Sequence, residues 1–288
     1  MIICPKCKAQ LTESNTAWNC KECEYKAEIK KGVIIFNPKI DENFPDYDPK
    51  ALDIFYRYEK NHFWFKARRD LICDVFRDFV GRRETVIEIG TGTGNISKML
   101  LENGYKMIIG DVHKNALYQF GNDQIAEKYQ FDLMEAPFRE HFDVIGMFDV
   151  LEHINEDGLA VRKICEMLKK GGRVVVTVPA HQWLWSKFDL THKRRYELKE
   201  LKDMFKKGGF DVVLAKNFFV SIIPLLFLRS IFGGSAKDKR SSELAEEQMN
   251  INPFINKILY FVSRMENKLL KNFSPKIGGS IVLVAIKK

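Results

Sequence analysis

Short apolar runs alternate with helical patterns over the last two thirds of the chain. Seven of these runs predict β-strands, at 85–89, 106–109, 129–131, 142–147, 173–178, 211–215 and 280–286. This alternation is typical of βα units that form a mostly parallel sheet. In such sheets ligands bind beyond the carboxyl ends of the strands, so we expect the functional residues to follow the strands.

The segment between the last two predicted strands, 217–278, is long and patterned. Its apolar run 218–228 is interrupted by Pro224, falls short of the roughly 20 residues that span a bilayer, and predicts a buried helix. The alternative is a surface that meets lipid or an apolar substrate. A polar run follows at 233–250, and an amphipathic helix is predicted at 253–272. Its apolar stripe consists of Ile255, Ile258, Leu259, Phe261, Val262, Met265, Leu269 and Leu270. We expect this stripe to pack on the domain or on a partner subunit; the alternative is a lid over a lipidic acceptor.

Two CxxC pairs lie in the first two dozen residues, and they predict a structural zinc site. The four thiols are those of Cys4, Cys7, Cys20 and Cys23. Two such turns can close a tetrahedral site with four protein ligands and no open position, which is typical of structural zinc. The alternative is a redox CxxC, which needs one pair rather than two. The ribbon can clamp the fold, bind RNA or dock a partner.

Composition and charge narrow the classes of protein only slightly. The chain has 288 residues, 45% of them apolar, and a net charge of +8, which permits an anionic partner without requiring one. No signal peptide or transmembrane helix is predicted, and the paired thiols favour a reducing, cytoplasmic setting. A proline-containing linker at 37–50 marks the boundary between the N-terminal ribbon and the main domain. We predict a zinc ribbon at 1–40, a linker and N-terminal helices covering a cofactor site at 41–80, and an α/β domain at 81–288 with a helical insertion at about 217–278.

A glycine-rich turn follows the first strand of the α/β domain. It reads Glu88-Ile-Gly-Thr-Gly-Thr-Gly94, and glycines there let the backbone approach a ligand closely. The GxGxG spacing differs from the GxGxxG of dinucleotide-binding loops. Asp111 ends the second strand, where a carboxylate can accept hydrogen bonds from a ribose diol, and Asp132 ends the third, near an expected adenine edge.

These motifs, together with Phe142-Asp-Val-Ile-Gly-Met-Phe-Asp-Val-Leu-Glu-His153, resemble the class I S-adenosylmethionine-dependent methyltransferases over about 220 residues. More closely, the chain is similar to methyltransferase type 11/12 domains and to ubiquinone-biosynthesis O-methyltransferases. The resemblance implies a Rossmann-like α/β fold with seven strands and helices on both faces. It also implies S-adenosylmethionine as cofactor, held at Glu88, Gly90, Gly92, Gly94, Asp111 and Asp132. In these relatives an arginine before the sheet meets the cofactor carboxylate and an aromatic residue lines the adenosyl pocket, which implies these roles for Arg68 and Phe148. Trp64 and Phe65 are interpreted as core aromatics or as part of that site.

Histidines near the carboxyl edge of the sheet are candidate bases for a hydroxyl nucleophile. We predict His181, after the fifth strand, and His192, in the next loop, as catalytic residues. A second idea rests on Asp149, Glu152 and His153, with His192 arriving from the later loop. A similar set holds a divalent ion in the methyltransferases of small-RNA 3′ ends and in some quinone O-methyltransferases. The alternative for this cluster is a polar helix start without a metal.

The sequence therefore predicts a methyltransferase with structural Zn²⁺ that methylates a hydroxyl of a small-molecule, lipid-linked or glycan-linked acceptor. Peripheral membrane contact is compatible with this function. One alternative is an RNA methyltransferase whose ribbon, with seven lysines against four glutamates, holds RNA. The other is a non-catalytic, methyltransferase-like binding module. The acceptor itself is not predicted.

Overall fold

The computed structural model describes residues 1–40, 49–120, 125–189, 191–232, 241–269, 271 and 273–288. Its strands are β1 (Thr12–Ser14), β2 (Ala17–Asn19), β3 (Lys26–Lys30), β4 (Val33–Ile35), β5 (Thr85–Ile89), β6 (Lys106–Asp111), β7 (Lys128–Gln130), β8 (Phe142–Phe148), β9 (Leu168–Pro179), β10 (Phe210–Phe218) and β11 (Ser280–Lys287). Its helices are α1 (Pro49–Tyr58), α2 (Phe63–Phe79), α3 (Asn95–Glu102), α4 (Lys114–Tyr118), α5 (Asp157–Met167), α6 (Leu198–Lys207), α7 (Ile223–Phe232), α8 (Ser241–Met249) and α9 (Pro253–Leu269).

The seven predicted strands are present as β5 to β11 and lie in the order β7-β6-β5-β8-β9-β11-β10. β5, β6, β7, β8 and β9 pair in parallel, whereas β11 is antiparallel to both of its neighbours. After β10 the chain turns back and places β11 between β9 and β10, so β11 runs opposite to both of them. The predicted Rossmann-like class is confirmed.

Each face of this sheet carries its own apolar core. One core includes Leu71 and Phe76 of α2 with Leu100 of α3, and the other includes Ile164 of α5 with Phe205 of α6. Strand residues alternate between the two, as the period of two along a β-strand requires. The helices therefore cover both faces and leave the carboxyl ends of the parallel strands free for a site.

The N-terminal ribbon continues the catalytic sheet. β1 to β4 pair antiparallel in sequence order, and β4 then pairs in parallel with β7, Ile34 opposite Tyr129. The rings of Phe36, Tyr129 and Phe138 pack at the junction with centroids 5.0 to 6.0 Å apart. The ribbon thus covers the backbone groups that β7 would expose as an edge strand. The division of the chain into three domains stays a prediction, and most of the proline-containing linker, 41–48, lies outside the described residues.

Apart from Leu259, which packs against the core beside α2, the described apolar stripe of α9 faces outward, so the expectation that it packs on the domain is wrong for most of its length. Polar side chains form the buried face instead. Asn256 Oδ1 accepts a hydrogen bond from the Phe63 N–H (2.8 Å), and Asn267 Nδ2 donates to the Ala67 carbonyl (3.2 Å). Glu266 accepts from the N–H groups of Val220 and Ser221 at 2.8 and 2.7 Å. These bonds satisfy backbone groups at the start of α2 and before α7, and they fix which side of α9 points inward. Leu270, the last residue of the predicted stripe, lies outside the described residues. Packing on a partner subunit stays a prediction.

The expectation of a buried helix at 218–228 is also wrong in part. Phe218 belongs to β10 and is buried with Phe219 and Ile222, but Leu225, Phe227, Leu228 and Ile231 of α7 are exposed. Within the described part of the chain, no helix combines the length and the apolar character needed to cross a membrane.

Candidate active site

A cavity of about 540 Å³ opens at the carboxyl ends of β5, β8 and β9. The end of α1, the start of α2 and the glycine-rich turn form one side, and the loop after β9 forms another. Apolar side chains of α7 and α9, among them Leu225 and Ile255, complete the lining. The position is the one where open α/β sheets bind ligands.

The glycine-rich turn provides a backbone cradle in this cavity. Gly90 and Gly92 both have positive φ, +73° and +51°, and both line the cavity. A side chain at Gly90 would collide with Val150, whereas one at Gly92 would extend into open space. The open space at Gly92 is the room that a closely approaching ligand requires, so the turn fits the methionyl part of S-adenosylmethionine.

The two acids expected at the adenosine lie behind this turn. Asp111 is buried; its Oδ2 accepts from the Gly92 N–H (3.1 Å) and its Oδ1 from the His113 N–H (2.9 Å). Asp132 caps a short 3-10 turn by accepting from the Met134 N–H at 2.9 Å. Neither acid lines the cavity, nor does Gly94, which starts α3 under the Phe120 ring. The roles of these three residues toward the cofactor stay predictions.

Arg68 projects from α2 into the cavity among carboxylates. It forms an ion pair with Asp149, and Glu59, Glu88 and Glu152 surround it closely enough to interact electrostatically. Burial lowers the pKa of Arg68, and these carboxylates oppose that shift. Its Nε is buried without a hydrogen-bond partner among the described residues, so this guanidinium can still donate to a ligand carboxylate.

The backbone conformation of Asp149 and a hydrogen bond from Thr177 hold it in this ion pair. Its φ is +57°, an uncommon value for a residue other than glycine, and Thr177 Oγ1 donates to its Oδ1 at 2.9 Å. Strained backbone that persists in this way is a common feature of functional sites. Asp149 is paired with Arg68 and is outside the group of metal-capable side chains that the structure brings together, so its role as a metal ligand stays a prediction.

Glu88 is the buried carboxylate beside the glycine-rich turn. Burial raises its pKa to about 7, although the hydroxyl of Ser97 donates to it and Arg68 lies nearby. Phe148, at the end of β8, is buried and lines the cavity. The half-buried Trp64 of α2 also lines the cavity, and its ring stacks on that of Phe219 with centroids 4.3 Å apart. Trp64 and Phe65 are therefore both core aromatics and cavity residues.

Glu152, His153 and His192 come together in the wall of the cavity. One potential ligand atom from each lies within 4.8 Å of the others, and the two imidazole rings meet edge to face at 4.9 Å. Glu152 is fully buried, and neither carboxylate oxygen has a hydrogen-bond partner within the described part of the chain. Burial raises the pKa of Glu152 to about 8. An unpaired buried carboxylate is costly, so a cation here would remove a penalty.

An acid that the sequence analysis missed orients His192. Asp189 Oδ1 lies 2.8 Å from His192 Nδ1, which leaves Nε2 facing Glu152 Oε1 at 4.0 Å. Asp189 is itself held by Arg195 Nη2 (2.7 Å) and by the Ser186 N–H (2.8 Å). This carboxylate–imidazole pair fits either a metal ligand or a proton acceptor.

His181 does not reach the cavity, so its prediction as a catalytic base is wrong on position. It is 3% exposed, its Nδ1 lies 2.9 Å from a carboxylate oxygen of Glu197, and its Nε2 accepts from the Gly278 N–H at 3.3 Å. The residue has a positive φ of +57° that turns its ring away from the site and under Trp183. Both ring nitrogens are occupied, and the role is structural.

Glu59 is a second cavity residue that the sequence analysis missed. It is buried at the end of α1 and accepts a hydrogen bond from the Thr93 hydroxyl in the glycine-rich turn. A lone acid such as Glu59 carries no spacing signal in the sequence. Only Asp189, three residues before His192, could have been found, as an i,i+3 partner.

Comparison with known proteins agrees with this geometry. A family model described as a methyltransferase domain matches residues 63–215. An uncharacterized methyltransferase of Geobacillus sp. is 24% identical over 207 residues, 64% of this chain and 90% of the relative. A ubiquinone biosynthesis O-methyltransferase of Nitrosospira multiformis is 30% identical over 96 residues, which are 31% of this chain and 40% of that protein.

Among solved structures, the fold resembles a chain of the complex between the Haloferax volcanii Trm112 methyltransferase activator and a methyltransferase. The TM-score is 0.55 at 15% identity, and the match covers 84% of this chain and 96% of that one. At this identity the likeness concerns the fold alone.

Proposed function

Because this chain belongs to the methyltransferase-domain family and uses S-adenosylmethionine as its methyl donor, we propose that it transfers the methyl group to a hydroxyl oxygen. The acceptor is a small-molecule or lipid- or glycan-linked hydroxyl compound. The bond from the methyl carbon to the acceptor oxygen forms as its bond to sulfur breaks, and the hydroxyl proton is released. The products are the methyl ether and S-adenosylhomocysteine.

The observation that carries this proposal is the buried Glu152 carboxylate, which accepts no hydrogen bond from the described residues and lies beside His153 and His192. One carboxylate and two imidazoles are a suitable donor set for a divalent cation such as Mn²⁺ or Fe²⁺. Of these two cations, Mn²⁺ also binds at sites made mostly of oxygen ligands. When bound, the cation supplies Lewis acidity that lowers the pKa of an acceptor hydroxyl. Asp189 would orient the His192 ligand from behind, as carboxylates commonly do for metal-binding histidines.

The remaining cavity residues position the donor. Gly90 and Gly92 admit the cofactor backbone, Arg68 can exchange its bond to Asp149 for the cofactor carboxylate, and Glu88 offers a negative charge to the cofactor ammonium group. Trp64 and Phe148 exclude water from the reacting atoms. Alignment of this kind can supply on the order of 7–11 kcal/mol of the barrier reduction.

Structural zinc in the ribbon is part of the proposal. The Sγ atoms of Cys4 and Cys23 lie 3.5 Å apart and those of Cys7 and Cys20 lie 3.4 Å apart, and all four Sγ atoms lie within 4.8 Å of one another. These separations are too long for disulfides, which need about 2.05 Å, and suit thiolates that share one ion at about 2.3 Å. Zinc content of the purified protein, measured by mass spectrometry, tests this: about one equivalent is expected.

A transfer assay with methyl-labelled cofactor against fractionated extracts tests the reaction. Label is expected in the lipid or small-molecule fraction, in a product that resists mild base as an ether does. Label confined to RNA contradicts the proposal and favours the alternative of an RNA methyltransferase. No transfer to any fraction, with cofactor binding intact, favours a non-catalytic binding module.

The cation is tested on the same assay with dialysed protein, under chelation that leaves the zinc content unchanged. Activity should fall with chelation and return with Mn²⁺ or Mg²⁺ in the wild-type protein, but not in Glu152→Gln. Glu156→Gln, an exposed acid four residues later, is the matched control and should behave as wild type. Undiminished turnover under chelation, combined with an inactive His192→Asn, contradicts the cation and assigns His192 the role of base.

A further inference from the structure

The outward face of α9 is an apolar stripe that nothing in the described chain covers. Phe254, Phe261 and Leu269 are 71%, 66% and 74% exposed. Other apolar residues on the same face are Ile255, Ile258, Val262 and Met265, followed by Phe273 and Ile277 beyond the helix. They recur every three or four positions, so they form one continuous face about 25 Å long. Patches of this extent on a monomer mark interaction sites.

α7 and the loop after β9 extend this face to the mouth of the cavity. Phe227, Leu228 and Ile231 of α7 are exposed, and the Phe227 ring meets the exposed Trp183 ring at 6.0 Å. Leu225 of α7 and Ile255 of α9 line the cavity although each is exposed by at least two fifths, so they lie at its opening. The cavity therefore opens beside exposed apolar residues of both helices. We call the exposed apolar residues of α7 and α9, with Trp183, the apolar face.

The charged side chains of the C-terminal segment that carries α9 are mostly basic. From residue 248 to the C-terminus at 288 the only acid is Glu266, which is buried and bonded to the N–H groups before α7. Lys257 lies one helical turn after Phe254 and one before Phe261, and Lys268 continues the same flank; both are exposed. The acids of the neighbouring α2 are neutralised, Asp70 and Asp74 by Arg264 and Asp78 by Lys271.

An apolar stripe bordered by lysines, on a helix too short to span, is the arrangement of helices that lie in the membrane interface. The apolar residues enter the acyl boundary while lysine side chains reach the headgroups. A second copy of the chain, which would pair this face with itself across a two-fold axis, is an outcome of the test below.

We propose that the apolar face docks on an anionic lipid bilayer and that the cavity opens toward that bilayer. This proposal goes beyond methyl transfer and does not rest on it, because docking is measured without cofactor or acceptor. Its consequence for the proposed function is a route by which an acceptor dissolved in the bilayer reaches the cavity without crossing water.

Co-flotation of the full chain with vesicles tests the proposal. We expect binding to vesicles of phosphatidylcholine with about a third phosphatidylglycerol, weak binding to phosphatidylcholine alone, and weakening in about 0.5 M salt. The double variants Phe254→Ser/Phe261→Ser and Lys257→Glu/Lys268→Glu should each lower the partition coefficient by about tenfold or more. All four side chains are exposed, so these variants are expected to fold, which circular dichroism checks.

Matched controls lie elsewhere on the surface. Val213→Ser removes an exposed apolar side chain of β10, and Lys206→Glu/Lys207→Glu reverses two exposed lysines of α6, on the opposite face of the sheet from α2 and α9. Both should bind as wild type. Absence of wild-type binding to the anionic vesicles overturns the proposal, and so does a loss of binding in the α6 control equal to that in the α9 charge variant. A dimer by light scattering that dissociates in Phe254→Ser/Phe261→Ser also overturns it, in favour of a second copy.

Discussion

Among the described residues, two clusters of side chains could hold a metal ion, and they differ in almost every property that decides what a metal would do there. The ribbon cluster has four thiols, close enough to complete a tetrahedral ion, and lies beyond the edge of the catalytic sheet. The cavity cluster has one carboxylate and two imidazoles and lines the same cavity as the glycine-rich turn. A complete ligand set holds a fold together, whereas an incomplete one leaves positions for a substrate.

The two clusters also differ in how far the surrounding fold depends on them. The strands of the ribbon have only three to five residues, so the ribbon is too small to bury a core of its own and depends on its thiols to hold an ion. Glu152, in contrast, is surrounded by a complete α/β core that does not need it. The ribbon cluster should therefore govern stability and the cavity cluster activity.

The largest expected effect is the loss of the ribbon cluster. Cys4→Ser should remove the bound zinc and lower the free energy of unfolding by about 5 kcal/mol or more, because zinc binding supplies folding free energy in small metal modules. Chemical denaturation with zinc analysis measures both. Cys73→Ser, a lone thiol in α2, is the control and should keep the zinc. A Cys4→Ser protein as stable as wild type would contradict the division between the clusters.

Second in size is the loss of the cavity cluster's carboxylate. Glu152→Gln should lower kcat by about 100-fold or more, since it removes a ligand of the cation. The free energy of unfolding should not fall. Burial raises the pKa of Glu152 to about 8, so in the absence of a cation its ionisation opposes folding increasingly as pH rises from about 4.5 through 8. Above pH 8 the variant should therefore be the more stable protein. Parallel loss of stability and activity would instead show that Glu152 supports the fold.

The ribbon thiols and the glycine-rich turn could be predicted from the sequence because their spacing is local. Two CxxC pairs and a GxGxG turn after a strand each place their side chains within one turn of the backbone. The seven strands followed from apolar runs for the same reason. The pairing of β4 with β7 is not local: a three-residue strand carries no signal for a partner almost a hundred residues away.

The predictions of the orientation of α9 and of the position of His181 failed for a different reason. An amphipathic pattern shows that a helix has two faces, but not which one meets the domain, and here Asn256, Glu266 and Asn267 bond inward. His181 and His192 both follow β9, and only the positive φ of His181 and its bonds to Glu197 and Gly278 turn it away. Neither feature can be read from residue types.

A third prediction separates the cofactor from the cation, using Glu88, the buried carboxylate beside the glycine-rich turn. The pKa of Glu88 is raised by burial to about 7, so in the free protein it takes up a proton as pH falls through 7. The ammonium group of the cofactor favours the ionised form. Cofactor Kd should therefore rise as pH drops below 7, by severalfold and at most tenfold per pH unit. Calorimetry from pH 6 to 8 measures this, and Glu88→Gln should show a weaker and nearly flat profile. An unchanged slope in the variant would assign the pH dependence to another group.

The smallest expected effect tests whether the ribbon, besides stabilising the fold, also reaches the cofactor. Asn37, just after β4, accepts from the Asp132 N–H (3.0 Å) through Oδ1 and donates to Glu135 Oε2 (2.6 Å) through Nδ2. It thereby ties the end of the ribbon to the acid expected at the adenine edge. Asn37→Ala should raise cofactor Kd about threefold and lower the free energy of unfolding by about 1 kcal/mol. Asn19→Ala, which removes a side-chain bond within the ribbon, should leave Kd unchanged. Equal Kd values for both variants and wild type would confine the ribbon to stability. A selective change in Asn37→Ala would instead mean that the ribbon, whose thiols do not line the cavity, also helps to set the geometry of the cofactor site.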